Sequence, residues 1–261
     1  MRMSASWRRL MIKGFERLIL VPFLYYAGIS GRKKVLEIFD RMKKMRTMHR
    51  ITLISSDGMK LVGTYRHTNQ DRLAILLHMM PATKESWDAI AEKLLEHGYA
   101  SLAFDQRGHG ESTMDGTLDY KTFTPEQQQQ KRLDLEAVLT WAHEQGFDDA
   151  CIILIGASIG ANLAIRALAE HHDLPLAIAL SPGLDYRGVK TDDAIQSLAP
   201  NQKVVLVASD DDDRPSWDSV HELHRLNPST VLIERHGLGH GTNMTDKDPS
   251  LIDEIFTYLP T

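Results

Sequence analysis

From residue 50 onward, two kinds of hydrophobic pattern alternate along the chain. Short continuous apolar runs, typical of buried strands, alternate with longer stretches in which apolar residues recur every three or four positions, typical of helices. The predicted strands cover residues 51–55, 60–66, 73–78, 100–105, 151–156, 175–181, 203–208 and 229–235. The predicted helices cover residues 86–97, 126–145, 158–171, 191–199, 216–226 and 249–259. This alternation predicts an α/β domain over residues 50–261, with an eight-stranded, mostly parallel sheet covered by helices on both faces.

The segment Gly156-Ala157-Ser158-Ile159-Gly160 joins a predicted buried strand to a predicted helix. The G-x-S-x-G pattern alone is weak evidence, because small residues fall at this spacing by chance. Between a strand and a helix, however, the glycines permit a tight turn that strains the serine and exposes its hydroxyl near the helix N-terminus. This context favours Ser158 as a nucleophile over an ordinary N-cap serine.

A serine nucleophile needs a base and a third group that orients the base, and both kinds of residue follow Ser158 at strand ends. Strand 203–208 leads into Ser209-Asp210-Asp211-Asp212-Asp213, and strand 229–235 leads into a loop that carries His240 between two glycines. The carboxyl ends of parallel strands gather functional groups at one edge of a sheet. The chain therefore holds a Ser-Asp-His series in the order expected when the serine comes first.

Several further segments resemble those of the α/β-hydrolase superfamily. They are Leu76-Leu77-His78-Met79-Met80 with Ser86-Trp87, Phe104-Asp105-Gln106-Arg107-Gly108-His109-Gly110-Glu111-Ser112, and Gly239-His240-Gly241. The string Asp-x-Arg-Gly-His-Gly-x-Ser is highly specific to this superfamily, and the match covers roughly residues 50–261. The chain is most similar to small bacterial esterases and dienelactone-hydrolase-like proteins. The resemblance implies the α/β-hydrolase fold and cleavage of carboxylic esters, with a small-molecule ester as the substrate.

The resemblance also implies the roles of the site residues. Ser158 is the nucleophile, His240 the base, and an aspartate after the seventh strand the acid. Aligning Ser209 with the family's usual glycine places the acid at Asp212, and Asp211 and Asp213 remain alternatives. If the acid lies elsewhere, Asp185 after the sixth strand is the expected substitute.

An oxyanion hole formed by the backbone N–H groups of Ile159 and Met80 is implied as well. The family usually has His-Gly after the third strand, whereas this chain has His78-Met79. A methionine side chain thus lies where the backbone normally passes close to the substrate, and it could shift this loop.

The length of the connections predicts an open site. Only about twenty residues, 182–202, separate the sixth and seventh predicted strands, where related hydrolases usually insert a cap. The other long connection carries the glutamines at 127–130, which are predicted to form solvated first turns of a helix. A site without a large cap suits soluble esters of modest size.

The remaining histidines and the one cysteine predict no metal or cofactor site. His109 is expected to be structural, and His78 to end the third strand and support the oxyanion loop. His221 and His224 have a spacing that can bind metals, but no carboxylate or cysteine pattern completes a site. Cys151 is expected to be a small buried residue. No dinucleotide fingerprint or phosphate loop is present, so no organic cofactor is expected.

Residues 1–49 are predicted to form a basic, amphipathic helical arm. The first fifty residues carry thirteen Lys and Arg against three Asp and Glu, a net charge of +10, whereas the rest of the chain carries a net charge of −15. The apolar run 18–29 is too short to span a bilayer.

For this arm we favour peripheral contact with anionic lipid over packing on the domain, a homodimer contact or an export signal. The expected location is the cytoplasm or the membrane periphery. Nucleic acid is a poor fit as a partner, because the body is acidic and no binding motif is present.

These observations together predict a serine hydrolase of carboxylic esters. Acyl transfer, thioester cleavage, peptidase action or C–C hydrolysis on the same triad stay open, because the fold and triad alone do not separate them. A non-catalytic, membrane-associated binding protein that keeps the motif without turnover is the alternative from another class.

Overall fold

The computed structural model describes residues 48–211 and 214–260. Most of the predicted arm over residues 1–49 lies outside the described residues, and so do Asp212 and Asp213. No helix within the two described ranges is long and apolar enough to cross a bilayer.

The main element of the fold is one eight-stranded sheet. The strands of the described residues are β1 (Met48–Ile54), β2 (Lys60–Arg66), β3 (Leu73–Leu77), β4 (Ala100–Phe104), β5 (Ile152–Ala157), β6 (Leu176–Leu180), β7 (Asp185–Tyr186), β8 (Val189–Lys190), β9 (Lys203–Ser209) and β10 (Val231–Arg235). The sheet order is β1-β2-β4-β3-β5-β6-β9-β10. β2 is antiparallel to β4, and every pair from β4 to β10 is parallel. The predicted mostly parallel sheet is confirmed.

Helices cover both faces of this sheet. They are α1 (Asp88–Glu96), α2 (Pro125–Gln129), α3 (Lys131–Glu144), α4 (Ile159–Glu170), α5 (Asp192–Gln196), α6 (Arg214–Leu226), α7 (Asn243–Lys247) and α8 (Ser250–Ile255). Every residue of β3 to β6 is buried, as expected of strands enclosed on both sides. Along β3, Ile75 belongs to the core shared with α3, α4 and α6, whereas its neighbour Leu76 belongs to the core shared with α1 and α8. The alternation of side chains along one strand therefore builds two cores.

Two local predictions about burial are wrong. The predicted helix 126–145 breaks at Gln130, and the short helix α2 begins with a capping box between Thr124 and Gln127. Gln128 in this glutamine tract is buried, and its Nε2 donates to the carbonyl oxygen of Tyr120 at 2.9 Å. The tract is therefore not simply solvated. Cys151 is only half-buried, because it lies in a 3₁₀ turn before β5 rather than inside the strand.

The connection between β6 and β9 contains a feature that the hydrophobic pattern does not predict. Residues 185–190 form the two-stranded hairpin β7–β8, and α5 follows it directly. Strands of two residues are too short to show a period, so propensity gives no signal for them. As predicted, no large cap stands in this connection, which the structure describes in full.

A buried polar network joins the loop after β4 to the start of α3. The Arg107 backbone N–H and side-chain Nε and Nη2 donate to the Asp134 carboxylate at 2.7–2.9 Å. Lys131 is fully buried beside this pair, and its Nζ lies 3.2 Å from Nε2 of His109. Burial is the main cause that lowers the pKa of Lys131 to about 7, against the attraction of Asp134.

The Lys131 amine makes the free energy of unfolding depend on pH. Between pH 7 and about 10.4, the unfolded chain carries a proton on this lysine that the folded chain lacks, so stability rises with pH. Lys131→Met removes this titration. From pH 7.5 to 9, wild-type stability relative to Lys131→Met should therefore rise by about 2 kcal/mol. Urea denaturation at both pH values measures the difference, with exposed Lys60→Met as the control. A pH-independent difference for Lys131→Met would contradict the titration.

Candidate active site

Ser158 lies in a sharp turn between β5 and α4. Its backbone has a φ of 54° and a ψ of −122°, a conformation that residues other than glycine rarely adopt. Its N–H donates to the carbonyl oxygen of Leu180 at 2.8 Å, and its carbonyl oxygen accepts from Ala161 and Asn162 in the first turn of α4. The strained turn is thus held by the neighbouring strand on one side and the helix on the other, as a nucleophile elbow requires.

The two glycines of the elbow are required by close backbone approach. A Cβ at Gly160 would lie 2.2 Å from the carbonyl oxygen of Leu77, at the end of β3. A Cβ at Gly156 would lie 2.2 Å from the carbonyl oxygen of Gly160. Helix α4 can therefore start directly against β3 and β5 only because both positions lack side chains.

His240 lies in the loop between β10 and α7, and the ends of two other strands hold this loop. The Gly241 N–H donates to Ser181 Oγ at 2.9 Å, and the Leu238 N–H donates to Ser209 Oγ at 3.0 Å. The Gly239 N–H donates to Asp211 Oδ1 at 2.9 Å. The backbone amides on both sides of His240 are therefore fixed by side chains at or directly after the ends of β6 and β9.

The histidine loop and the serine turn meet at Gly241. A Cβ at this position would lie 3.3 Å from the Cβ of Ala157, the residue before Ser158. Leu180 accepts from the Ser158 N–H, and the next residue, Ser181, accepts from the Gly241 N–H. The end of β6 therefore bonds to both segments, and the structure brings them together at the carboxyl edge of the sheet.

The described aspartates near His240 stabilise loops. Asp211 accepts from Ser209 Oγ as well as from Gly239, and these two hydrogen bonds are the main causes that lower its pKa. Asp210 pairs with His236 at 2.7 Å, and the hydrogen bond from His236 is the main cause of its lowered pKa. Asp185 accepts from the Gly188 N–H at 2.6 Å within the β7–β8 turn. The predicted acid, Asp212, and its alternative Asp213 lie outside the described residues.

The segment of the predicted oxyanion hole is clamped by His78. The Met79 carbonyl oxygen only accepts, so Nδ1 of His78, 2.9 Å away, carries the proton, and Nε2 accepts from the Gln106 N–H at 3.0 Å. Burial lowers the pKa of His78 to about 4, which keeps this imidazole neutral. Met80 follows the clamp and is half-buried. Ile159 is the first residue of α4, where a helix leaves backbone N–H groups without intrahelical acceptors.

The Met79 side chain, which was expected to interfere with the loop after the third strand, is buried. It is buried in the core that contains Ala157, and its Sδ would lie 2.5 Å from a Cβ at Gly241. Met79 therefore packs beneath the histidine loop, in space that Gly241 leaves open.

His109 is held in a structural position. Its ring stacks on Tyr120 with centroids 3.8 Å apart, its Nδ1 contacts the Ala82 carbonyl oxygen at 3.1 Å, and its Nε2 contacts Lys131. Burial lowers the pKa of His109 to about 2. Both nitrogens of His109 and of His78 are therefore occupied, and neither ring is placed to act as a base.

Three residues contribute to the site in ways that were not predicted from the sequence. Ser181 is fully buried with a φ of 52°, Ser209 is buried at the end of β9, and the ring of Tyr186 lies edge-on to His240 with centroids 6.4 Å apart. Ser181 follows an apolar strand and precedes Pro182-Gly183, which is the one sequence signal that marks it.

His221 and His224, whose spacing can bind metals, have other partners in the structure. His221 contacts Glu234 at 3.0 Å and His224 contacts Thr230 at 2.9 Å, in separate interactions. No group of three His, Cys, Asp or Glu side chains within residues 48–211 and 214–260 is arranged to hold a metal ion.

Two relatives with similar sequences are named as non-heme chloroperoxidases rather than as esterases. A Synechocystis protein assigned as a non-heme chloroperoxidase is 26% identical over 164 residues, which are 62% of this chain and 54% of the relative. Non-heme chloroperoxidase CPO-A1 of Kitasatospora aureofaciens is 32% identical over 93 residues, which are 34% of this chain and 33% of the relative. The matched part thus spans about half of one relative and a third of the other.

Solved structures of esterases share the fold. The Pyrococcus furiosus esterase Pf2001 superimposes with a TM-score of 0.69 at 22% identity, over 81% of this chain and 91% of the esterase. Est1E of Butyrivibrio proteoclasticus, solved with ferulic acid bound, gives a TM-score of 0.65 at 20% identity, over 79% of this chain and 98% of Est1E. At these identities the likeness shows a common fold.

The family model of the serine aminopeptidase S33 hydrolases matches residues 68–213, which include the third strand, the Arg107-Gly108-His109 turn and the elbow at Ser158. This chain is an α/β-hydrolase and belongs to the serine aminopeptidase S33 family.

Proposed function

We propose that this protein is a serine hydrolase that cleaves carboxylic esters through an acyl-enzyme intermediate. The observation that carries the proposal is the strained Ser158 turn, with the His240 loop hydrogen-bonded to the same strand end. The esterases among its structural neighbours support ester chemistry over the other reactions of the fold. Peptidase action is the main competing chemistry, because the family is named for a serine aminopeptidase.

In the proposed reaction, Ser158 Oγ attacks the ester carbonyl carbon while His240 takes the hydroxyl proton. The carbonyl electron pair moves to oxygen, where the N–H groups of Ile159 and Met80 stabilise the negative charge. Collapse of the tetrahedral intermediate expels the alcohol, which receives the proton from His240. Water then attacks the acyl-enzyme in the same way and releases the acid. Asp212 fixes the His240 tautomer and stabilises the imidazolium.

Removing the nucleophile tests the proposal directly. Ser158→Ala should lower kcat for p-nitrophenyl esters by about 10⁴–10⁶-fold and abolish labelling by a fluorophosphonate, because no oxygen remains to form the covalent bond. Exposed Ser56→Ala is the matched control and should behave as wild type. Labelling without ester turnover, combined with cleavage of aminoacyl p-nitroanilides, would favour peptidase chemistry. If the wild type shows no labelling and no turnover, a binding protein is favoured.

The assignment of the acid is tested by replacing the aspartates singly with asparagine. Asp212→Asn should lower kcat by about 10²–10⁴-fold, because the imidazolium loses its counter-charge. Asp211→Asn should have a mild effect, since the amide oxygen can still accept from Ser209 and Gly239. Asp213→Asn and Asp185→Asn are the remaining comparisons. Equal, mild effects at 211, 212 and 213 would contradict the assignment.

The hydrogen bond from Gly241 to Ser181 should position His240. Ser181→Ala leaves a buried N–H without its acceptor, which costs about 1–3 kcal/mol of stability and loosens the loop. We expect kcat to fall about tenfold, equivalent to about 1.4 kcal/mol, with little change in KM.

Ser181→Gly is the matched variant, because glycine also removes Oγ but suits the positive φ. It should lose as much kcat as Ser181→Ala while being more stable. If Ser181→Gly retains full activity, backbone strain rather than the hydrogen bond explains the effect.

A further inference from the structure

The turn of the β7–β8 hairpin has an unusual residue at its first position. The hairpin pairs Tyr186 with Val189, so Arg187 and Gly188 form a two-residue turn, with φ values of 57° and 85°. Turns with two positive φ values strongly prefer Asn-Gly or Asp-Gly, because Asn and Asp tolerate a positive φ better than other residues with a Cβ. Arginine therefore occupies this position at a cost in stability, and such a residue at a site points to a function.

The residues on both sides of Arg187 contact α4, α2 and the His240 ring. The Val189 carbonyl oxygen accepts from Asn162 Nδ2 of α4 at 2.7 Å, and Gly188 lies directly against Gln129, since a Cβ there would be 2.3 Å from its Nε2. At the other end of the turn, the ring of Tyr186 is edge-on to His240. Arg187 is thus flanked in the chain by Tyr186, which contacts the proposed base His240, and by Gly188 and Val189, which contact α2 and the nucleophile helix α4.

The side chain of Arg187 is exposed and forms no ion pair with any carboxylate of the described residues. The nearby Asp185 carboxylate accepts the Gly188 N–H within the turn. Arg187 is also close enough to the start of α3 for its charge, together with that of Arg107, to contribute to the lowered pKa of Lys131, after burial.

We propose that Arg187 determines specificity by binding a carboxylate of the substrate, so that the preferred substrates are esters that carry a free carboxylate. This inference rests on the proposed ester hydrolysis at Ser158. Guanidinium binds carboxylates with two parallel hydrogen bonds, which gives geometric selectivity as well as attraction. Residues 51–261 carry a net charge of −15, which repels anions in general. An unpaired arginine at the site offsets that repulsion for a correctly placed carboxylate.

The test compares kcat/KM for mono-p-nitrophenyl succinate with that for the neutral p-nitrophenyl butyrate. In wild type the ratio should favour the anionic ester and should fall as salt rises, because ions screen the attraction. Arg187→Asn should lower the ratio by about 10–100-fold, the loss expected for one charge-assisted contact. Arg187→Lys, which keeps the charge but cannot donate two parallel hydrogen bonds to one carboxylate, should give an intermediate ratio.

Two controls separate specificity from folding. Asn and Gly both suit the positive φ, so Arg187→Asn and Arg187→Gly should melt at or above the wild-type temperature. Exposed Arg132→Gln, beside Lys131 on α3, should leave the ratio unchanged. A wild-type ratio that favours the neutral ester, or one that Arg187→Asn does not change, would overturn the inference while ester hydrolysis stands. Absence of both ester turnover and fluorophosphonate labelling in wild type would overturn the inference together with the proposed function.

Discussion

The close approach of helix α4 to the ends of β3 and β5 is the constraint on which the site depends. The Gly160 Cα lies so near the Leu77 carbonyl that no Cβ fits there, and Gly156 is equally close to Gly160. Between these two glycines, Ser158 has a positive φ and lies at the N-terminus of α4. Ala157 and Met79, on either side of the contact, then define the surface on which the histidine loop rests.

The loop of the proposed base, His240, is held by hydrogen bonds from its backbone N–H groups to side chains at the strand ends. Ser181 directly follows β6 and Ser209 ends β9, and the register of these two neighbouring parallel strands is fixed by the sheet, so the two hydroxyl groups stand at defined positions. The amides of Leu238, Gly239 and Gly241 donate to these groups or to Asp211. These hydrogen bonds fix the loop backbone, while Leu238 and Gly241 pack against the core that contains Met79 and Ala157. Serine and aspartate are suited to this role, since their short side chains accept hydrogen bonds from nearby backbone N–H groups.

The sheet and the serine turn were predictable from the sequence because each leaves a periodic or steric signature. Continuous apolar runs identify strands enclosed on both faces. The spacing of Gly156 and Gly160 indicates that the backbone of α4 starts in close contact with the neighbouring strands. The burial of Gln128 and the Tyr186 contact were not predictable, because they arise from loops that meet only in the folded chain. For the same reason the sequence could not choose among neighbouring aspartates. The structure shows Asp210 and Asp211 engaged in loop contacts, while Asp212 remains a prediction.

The substitution of methionine for the family's usual glycine at position 79 is explained by the same loop. A side chain that projected into the site would compete with substrate, but the Met79 thioether instead lies against Gly241. A residue with a Cβ at 241 would collide with Met79 or displace the histidine loop, so the glycine beside His240 provides the space that the methionine occupies. The clamp of His78 on the Met79 carbonyl then fixes the backbone that leads to Met80. The segment of the proposed oxyanion hole therefore packs against the histidine loop through Met79 and Gly241. Because protein interiors are close-packed, we expect a change of side-chain volume at 79 to affect both segments.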